Sequence, residues 1–168
     1  MFGLRMSAAA APAARGTASV VVPQPVDAVF DFVARDFFAN YQRWCTQVVE
    51  LEPRGPTPVR PGVTARQVTL ERGMRSETTF TVADVERPRR LVLEGVSERF
   101  RSTYQFEKRS CTETEIRFSF EMRELDLPMR PFAKLIGMAL QEGAEQAVEN
   151  IKFLLAEDAP RVEPARAS

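Results

Sequence analysis

The sequence contains no histidine among its 168 residues. This absence excludes a histidine general base, a serine–histidine–acid triad and a histidine-ligated metal site. The two cysteines, Cys45 and Cys111, are too few and too far apart for a zinc-binding pattern. We therefore expect no metal and no cofactor. A disulfide between the two cysteines remains an alternative, but a reduced, cytoplasmic protein is the simpler interpretation.

An excess of charge of either sign is also lacking, because 23 basic residues balance 23 acidic ones. The sequence therefore gives no reason to expect a nucleic-acid partner. No apolar run approaches the length of about 20 residues that spans a bilayer, so we expect no stable membrane insertion. No glycine-rich phosphate loop follows a strand and opens a helix, which leaves nucleotide binding without support.

The length suits one domain, which we place at residues 17–157. Residues 1–16 are rich in alanine, contain no acid and lack the continuous apolar segment of a secretory signal. We expect them to form a disordered N-terminal tail. Residues 158–168 are expected to form a disordered C-terminal tail.

Apolar and polar residues alternate along most of the domain, which predicts a sheet with one solvated face. A strand at residues 18–22 precedes two short amphipathic helices, with Asp36 as the expected cap of the second. Strands are then predicted at residues 47–52, 63–71, 74–85, 91–96, 99–107 and 114–124, before a helix at 132–155. The fold class is α+β: a curved antiparallel sheet of six to seven strands wrapped around a long C-terminal helix, with two short helices after strand 1.

The long helix carries a stripe of small residues, Ala139, Gly143 and Ala147, four positions apart. A glycine inside a helix costs roughly 1 kcal/mol relative to alanine, so a tertiary gain should offset it. Two explanations stay open on this evidence. The glycine either permits close approach of the helix to the sheet or leaves volume for a ligand.

The inward faces of the strands are rich in aromatic residues and also hold Arg66, Thr78, Ser102 and Tyr104. Arg66 shares the parity of Val68, which predicts an inward side chain unless a bulge flips it. A buried, unpaired arginine is costly in free energy. The Arg66 side chain should therefore pair with an acid, reach the rim of the cavity or bind a polar group of a ligand, and a position at the rim is favoured. The predicted ligand-binding residues are Trp44, Arg66, Phe80, Phe100, Ser102, Tyr104, Phe118, Phe120, Leu135, Ala139, Gly143 and Ala147.

A resemblance to a known family is carried by VPQPVDAVFDFVARDFFANYQRW at 22–44, PGVTAR at 61–66, ETTFTVADVERPRRLVLEG at 77–95, YQFEKRSCTETEIRFSFEM at 104–122 and the closing helix. In these segments the chain resembles the START-like or SRPBCC superfamily, also called helix-grip, and within it the polyketide cyclase/dehydrase and lipid-transport group. It implies a hydrophobic cavity between sheet and helix. Members bind lipids, sterols, polyketides or hormones, and some are aromatases or cyclases. The group has no universal catalytic motif, so no catalytic residue is carried over.

Three functions remain. The first is binding or carriage of an apolar or amphipathic small molecule, such as a lipid or polyketide, in that cavity. The second is a polyketide cyclase or aromatase acting by substrate positioning, with Tyr104 and Arg66 as the candidate residues that polarise a carbonyl. The third is a protein-interaction module without a ligand, which would lack a cavity of roughly 300 Å³. The sequence leaves the ligand's identity and the oligomeric state open.

Overall fold

A computed structural model of the protein describes residues 11–160. Its centre is one antiparallel sheet of seven strands in the order β1-β7-β6-β5-β4-β3-β2. The strands are β1 (Ala14–Val22), β2 (Val48–Arg54), β3 (Thr64–Glu71), β4 (Met74–Glu86), β5 (Arg90–Gly95), β6 (Phe100–Lys108) and β7 (Thr114–Met122). The predicted fold class is confirmed, because every predicted strand is present and the long helix packs across the sheet.

Two short helices connect β1 to β2. α1 (Val26–Phe30) continues through a π-helical turn (Asp31–Arg35) into α2 (Phe37–Trp44). Their apolar residues recur at helical spacing, and both helices bury one face against the sheet. Asp36 does stand before α2, but its side chain does not cap the helix as predicted. It pairs with the Arg35 guanidinium at 2.9 Å instead.

A 3₁₀ turn (Leu127–Phe132) leads into α3 (Ala133–Asp158), the longest element of the fold. The residues of α3 that enter the core lie from its middle to its C-terminal end: Ala144, Val148, Ile151, Leu154 and Leu155. Leu135, which the sequence predicted to bind the ligand, is 63% exposed, and the neighbouring Phe132 is 51% exposed. Periodicity identifies the apolar face of a helix, but it does not show how much of that face another element covers.

The helix meets the sheet most closely at β1. A Cβ atom on Gly16 would overlap the carbonyl oxygen of Leu140, so only glycine fits there. One residue further, the Thr17 amide donates to Gln141 Oε1 at 3.0 Å, and Gln141 Nε2 donates to the Thr17 carbonyl at 2.8 Å. Because β1 is an edge strand, this side-chain amide takes the place of a missing strand neighbour.

The ends of the domain differ slightly from the prediction. β1 begins at Ala14, inside the segment that the sequence assigned to a disordered tail ending at residue 16. α3 ends at Asp158, whose carboxylate forms two hydrogen bonds with Arg43 of α2 at 2.8 and 2.9 Å. Residues 1–10 and 161–168, which hold most of both predicted tails, lie outside the described residues.

Candidate functional site: a cavity between the sheet and the long helix

A cavity of about 290 Å³ lies between the inner face of the sheet and α3. β6 and β7 place their inward side chains in it by strict alternation, and α3 closes it with small residues. Nine of the twelve predicted ligand-binding residues line it: Trp44, Phe100, Ser102, Tyr104, Phe118, Phe120, Ala139, Gly143 and Ala147.

Gly143 faces open space. A Cβ atom built on it would have no atom within 4 Å, apart from its own helix backbone and chain neighbours. The close contact between helix and sheet occurs at Gly16, not here. The explanation by close approach is therefore wrong for this glycine, and Gly143 lines the cavity at an exposed position of the helix.

Arg66 does not line the cavity, and the inward prediction for it was wrong. Its guanidinium contacts Glu77 at 2.6 Å, Glu50 at 3.2 Å and Glu52 at 3.4 Å on the outer face of the sheet. Hydrogen bonds to Glu77 and Glu50 raise the pKa of Arg66 above its ordinary value. The inward residues of β3 include Gln67 and are polar where they line the cavity, so hydrophobicity indicated the wrong face.

Phe80 and Leu135 also lie outside the cavity lining. Phe80 is 1% exposed and packs behind the wall, with ring centroids 6.2 Å from Phe37 and 6.3 Å from Tyr41. Leu135 is on the exposed N-terminal half of α3. Phe80 therefore contributes to the core that supports the wall, and Leu135 contributes to neither the wall nor the core.

Sequence reasoning missed most of the polar wall. Besides Thr78, the polar side chains that line this wall are Tyr41, Cys45, Gln47, Gln67, Thr69, Glu71, Ser76 and Glu98. A usable signal was present, because polar residues recur at every second position on both strands of the β3–β4 hairpin. The register pairs Gln67 with Thr78 and Thr69 with Ser76, which places both pairs on the same face.

Hydrogen bonds fix part of this wall. The Tyr41 hydroxyl donates to Gln67 Oε1 at 3.2 Å, and Gln67 Nε2 donates to Thr78 Oγ1 at 3.1 Å. On the aromatic side, Trp44 Nε1 donates to the Tyr104 hydroxyl at 3.3 Å. These bonds orient Tyr41, Gln67 and Tyr104, so the polar groups of the wall are held in place before any ligand arrives.

Burial raises the pKa of two groups that line the cavity, Tyr104 and Cys45. The pKa of Tyr104 lies well above its ordinary value, so this phenol stays protonated and keeps its proton available for donation. Burial also raises the pKa of the Cys45 thiol to about 11, which keeps it a poor nucleophile at neutral pH. Within residues 11–160, no three cysteine or carboxylate side chains come together in a way that could hold a metal ion.

A curved seven-stranded sheet, a long helix across it and a cavity between them define a helix-grip protein of the START-like, or SRPBCC, superfamily. The family model for polyketide cyclase / dehydrase and lipid transport matches residues 13–155, and the chain belongs to this family. The resemblance read from the sequence is thereby confirmed. A search of curated proteins gives no match.

Solved structures with low sequence identity show the same fold. An aromatase/cyclase from a Streptomyces species aligns over 92% of this chain and 98% of its own, with a TM-score of 0.70 and 12% identity. TTHA0849 from Thermus thermophilus aligns over 86% and 99%, with a TM-score of 0.68 and 18% identity. The di-domain ARO/CYC BexL aligns over 87% and 50%, with a TM-score of 0.66 and 18% identity.

No helix within the described part of the chain is long and apolar enough to cross a membrane.

Proposed function

We propose that this protein binds or carries an apolar or amphipathic small molecule, such as a lipid or polyketide, in the cavity between the sheet and α3. The observation that carries the proposal is Gly143, which lines the cavity and would have no atom within 4 Å of an added Cβ. A glycine at this position weakens the helix by roughly 1 kcal/mol relative to alanine, and no close contact requires it. Space for a ligand explains this cost.

The wall of the cavity supports an amphipathic ligand. One side is aromatic and aliphatic, whereas the side formed by the β3–β4 hairpin presents amide and hydroxyl groups. Such a combination binds the apolar body of a ligand by burial and orients it through a few hydrogen bonds. The volume of about 290 Å³ lies at the lower end of ligand cavities, which favours a small ligand over a large one.

Filling the cavity from α3 tests this proposal. We expect Gly143→Leu to weaken binding of the neutral fluorophore phenylnaphthylamine at least tenfold, measured by fluorescence titration, because the new side chain occupies the ligand volume. The melting temperature should stay the same or rise, since leucine favours helix more than glycine does.

Gly137→Leu is the matched control, because Gly137 lies on the same helix, has open space around it and does not line the cavity. It should bind the fluorophore as the wild type does. Unchanged binding by Gly143→Leu, or equal losses in both variants, would show that the ligand does not occupy this cavity.

A polyketide cyclase acting by substrate positioning is the second candidate. Two structural relatives are aromatase/cyclases, and the Tyr104 hydroxyl lies inside the cavity where it could donate to a substrate carbonyl. Arg66 takes no part in such a reaction, because it is paired with acids on the outer face. Turnover of a poly-β-ketone by the wild type that falls in Tyr104→Phe, with binding retained, would favour this function.

A further inference from the structure

The charged residues of the cavity wall are all of one sign. They are Glu71 and Glu98, and none of the lysines or arginines within residues 11–160 lines the cavity. Both glutamates are exposed, so they lie where the cavity reaches solvent. Within residues 11–160 neither forms an ion pair, whereas the nearby Arg75 and Arg99 pair with Glu50 and Glu124 at 2.7 and 2.6 Å. The mouth of the cavity therefore carries two uncompensated carboxylates.

The interior carries unused hydrogen-bonding capacity. Ser102 and Tyr104 line the cavity and are only 7% and 2% exposed. The Ser102 hydroxyl forms no hydrogen bond with residues 11–160. The Tyr104 hydroxyl accepts from Trp44, but its own proton meets no acceptor in that part of the chain. Because the two residues share one face of β6, about 7 Å apart, both hydroxyls can serve one bound molecule.

We infer that the cavity selects a neutral or cationic amphipathic molecule with a carbonyl or hydroxyl oxygen, and that it rejects anionic amphiphiles such as fatty acids. The oxygen of the ligand accepts the hydroxyl protons of Ser102 and Tyr104, for which residues 11–160 provide no acceptor. The carboxylates at the mouth repel an anion and attract a cation. This inference deepens the proposed function and rests on it.

Two fluorophores that share a ring system test the charge selectivity. Phenylnaphthylamine is neutral, and anilinonaphthalenesulfonate carries the same rings with a sulfonate. For each dye, the part of the fluorescence signal that is lost in Gly143→Leu comes from binding in the cavity alone. We expect the sulfonate to bind there about tenfold more weakly at low ionic strength. The difference between the two affinities should become smaller as added salt screens the carboxylates at the mouth of the cavity.

Removing the two charges completes the test. Glu71→Gln with Glu98→Gln should raise the affinity for the sulfonate about tenfold and change that for phenylnaphthylamine less than about twofold. The control, Glu113→Gln with Glu149→Gln, removes the same net charge from exposed positions outside the cavity lining and should change neither affinity. Equal affinities of the wild type for both fluorophores, or no response to the mouth variant, overturn the inference while the proposed function stands. If neither fluorophore enters the cavity, the inference and the proposed function are both wrong.

The hydroxyl pair has its own readout. The neutral naphthyl ketone prodan emits at shorter wavelength when its carbonyl loses hydrogen-bond donors. We expect Ser102→Ala and Tyr104→Phe each to shift the emission of cavity-bound prodan to the blue. A purely structural role of Ser102 and Tyr104 would change the affinities for both prodan and phenylnaphthylamine and leave the emission wavelength of prodan unchanged. Unshifted emission in both variants overturns the assignment of the accepting group.

Discussion

At the scale of single residues, two glycines that look alike in the sequence have opposite roles. Gly16 is buried beneath the backbone of Leu140, so any side chain there meets atoms that cannot move aside easily. Gly143 lines the cavity, and an added Cβ there would have no atom within 4 Å. One glycine lets α3 approach the sheet, and the other leaves the helix surface open beside the cavity.

We predict that Gly16→Ala lowers the free energy of unfolding by about 1–3 kcal/mol, the usual cost of forcing extra atoms into a packed site. Urea denaturation measures this change. Gly137→Ala is the control and should stabilise the protein by up to about 1 kcal/mol, because alanine favours helix and the position has room. If Gly16→Ala were as stable as the wild type, the close contact between β1 and α3 would not exist in solution.

Arg66 shows how far alternation predicts the orientation of one residue. In β6 and β7 the inward residues are mostly large and apolar, so their parity predicted the cavity wall correctly. In β3 the cavity-facing residues are polar, whereas Val68 on the opposite parity is fully buried. A polar ligand wall removes the hydrophobic signal on which the assignment of faces depends.

At the scale of elements, Gln141 joins α3 to the free edge of β1. Its amide forms one hydrogen bond in each direction with the Thr17 backbone, as a neighbouring strand would. β1 carries no strand on this side, so the glutamine both satisfies its backbone and fixes the position of the helix. The close approach that Gly16 permits and the bonds of Gln141 act at the same place.

We predict that Gln141→Ala destabilises the protein by about 1–2 kcal/mol, because two backbone groups lose their partners. The Thr17 amide should also exchange its hydrogen faster, as followed by nuclear magnetic resonance. Gln146→Ala is the matched control, since among residues 11–160 the side chain of Gln146 bonds only to Asn150 on the same helix. Equal effects of the two substitutions would mean that the contact with β1 adds nothing to stability.

At the scale of the whole molecule, α3 has three different parts. The C-terminal part packs in the core, where Asn150 also donates to the Trp44 carbonyl at 3.0 Å. The middle of the helix closes the cavity with small residues, and the first turns are largely exposed. A bound ligand would therefore fill space between parts of the molecule that now have few contacts with each other.

We predict that a cavity ligand stabilises the entire domain. At a concentration one hundred times its Kd, a ligand specific for the folded state adds about 2.7 kcal/mol. For a chain of this size, that corresponds to a rise of roughly 5–10 °C in melting temperature, which a thermal-shift titration with phenylnaphthylamine measures. The Gly143→Leu variant should show no rise. An equal rise in that variant would place the stabilising site elsewhere on the protein.

The sequence by itself determined the strands, the long helix, their order and most of the aromatic wall. These features follow from local periodicity, because each side chain of a regular element takes its direction from its position along that element. Tertiary structure decided that Arg66 pairs with acids outside, that Leu135 is exposed and that Gly16 rather than Gly143 marks the close contact. It also brought Glu71 and Glu98 to one opening. Such features depend on which distant residues become neighbours, and no local pattern contains that information.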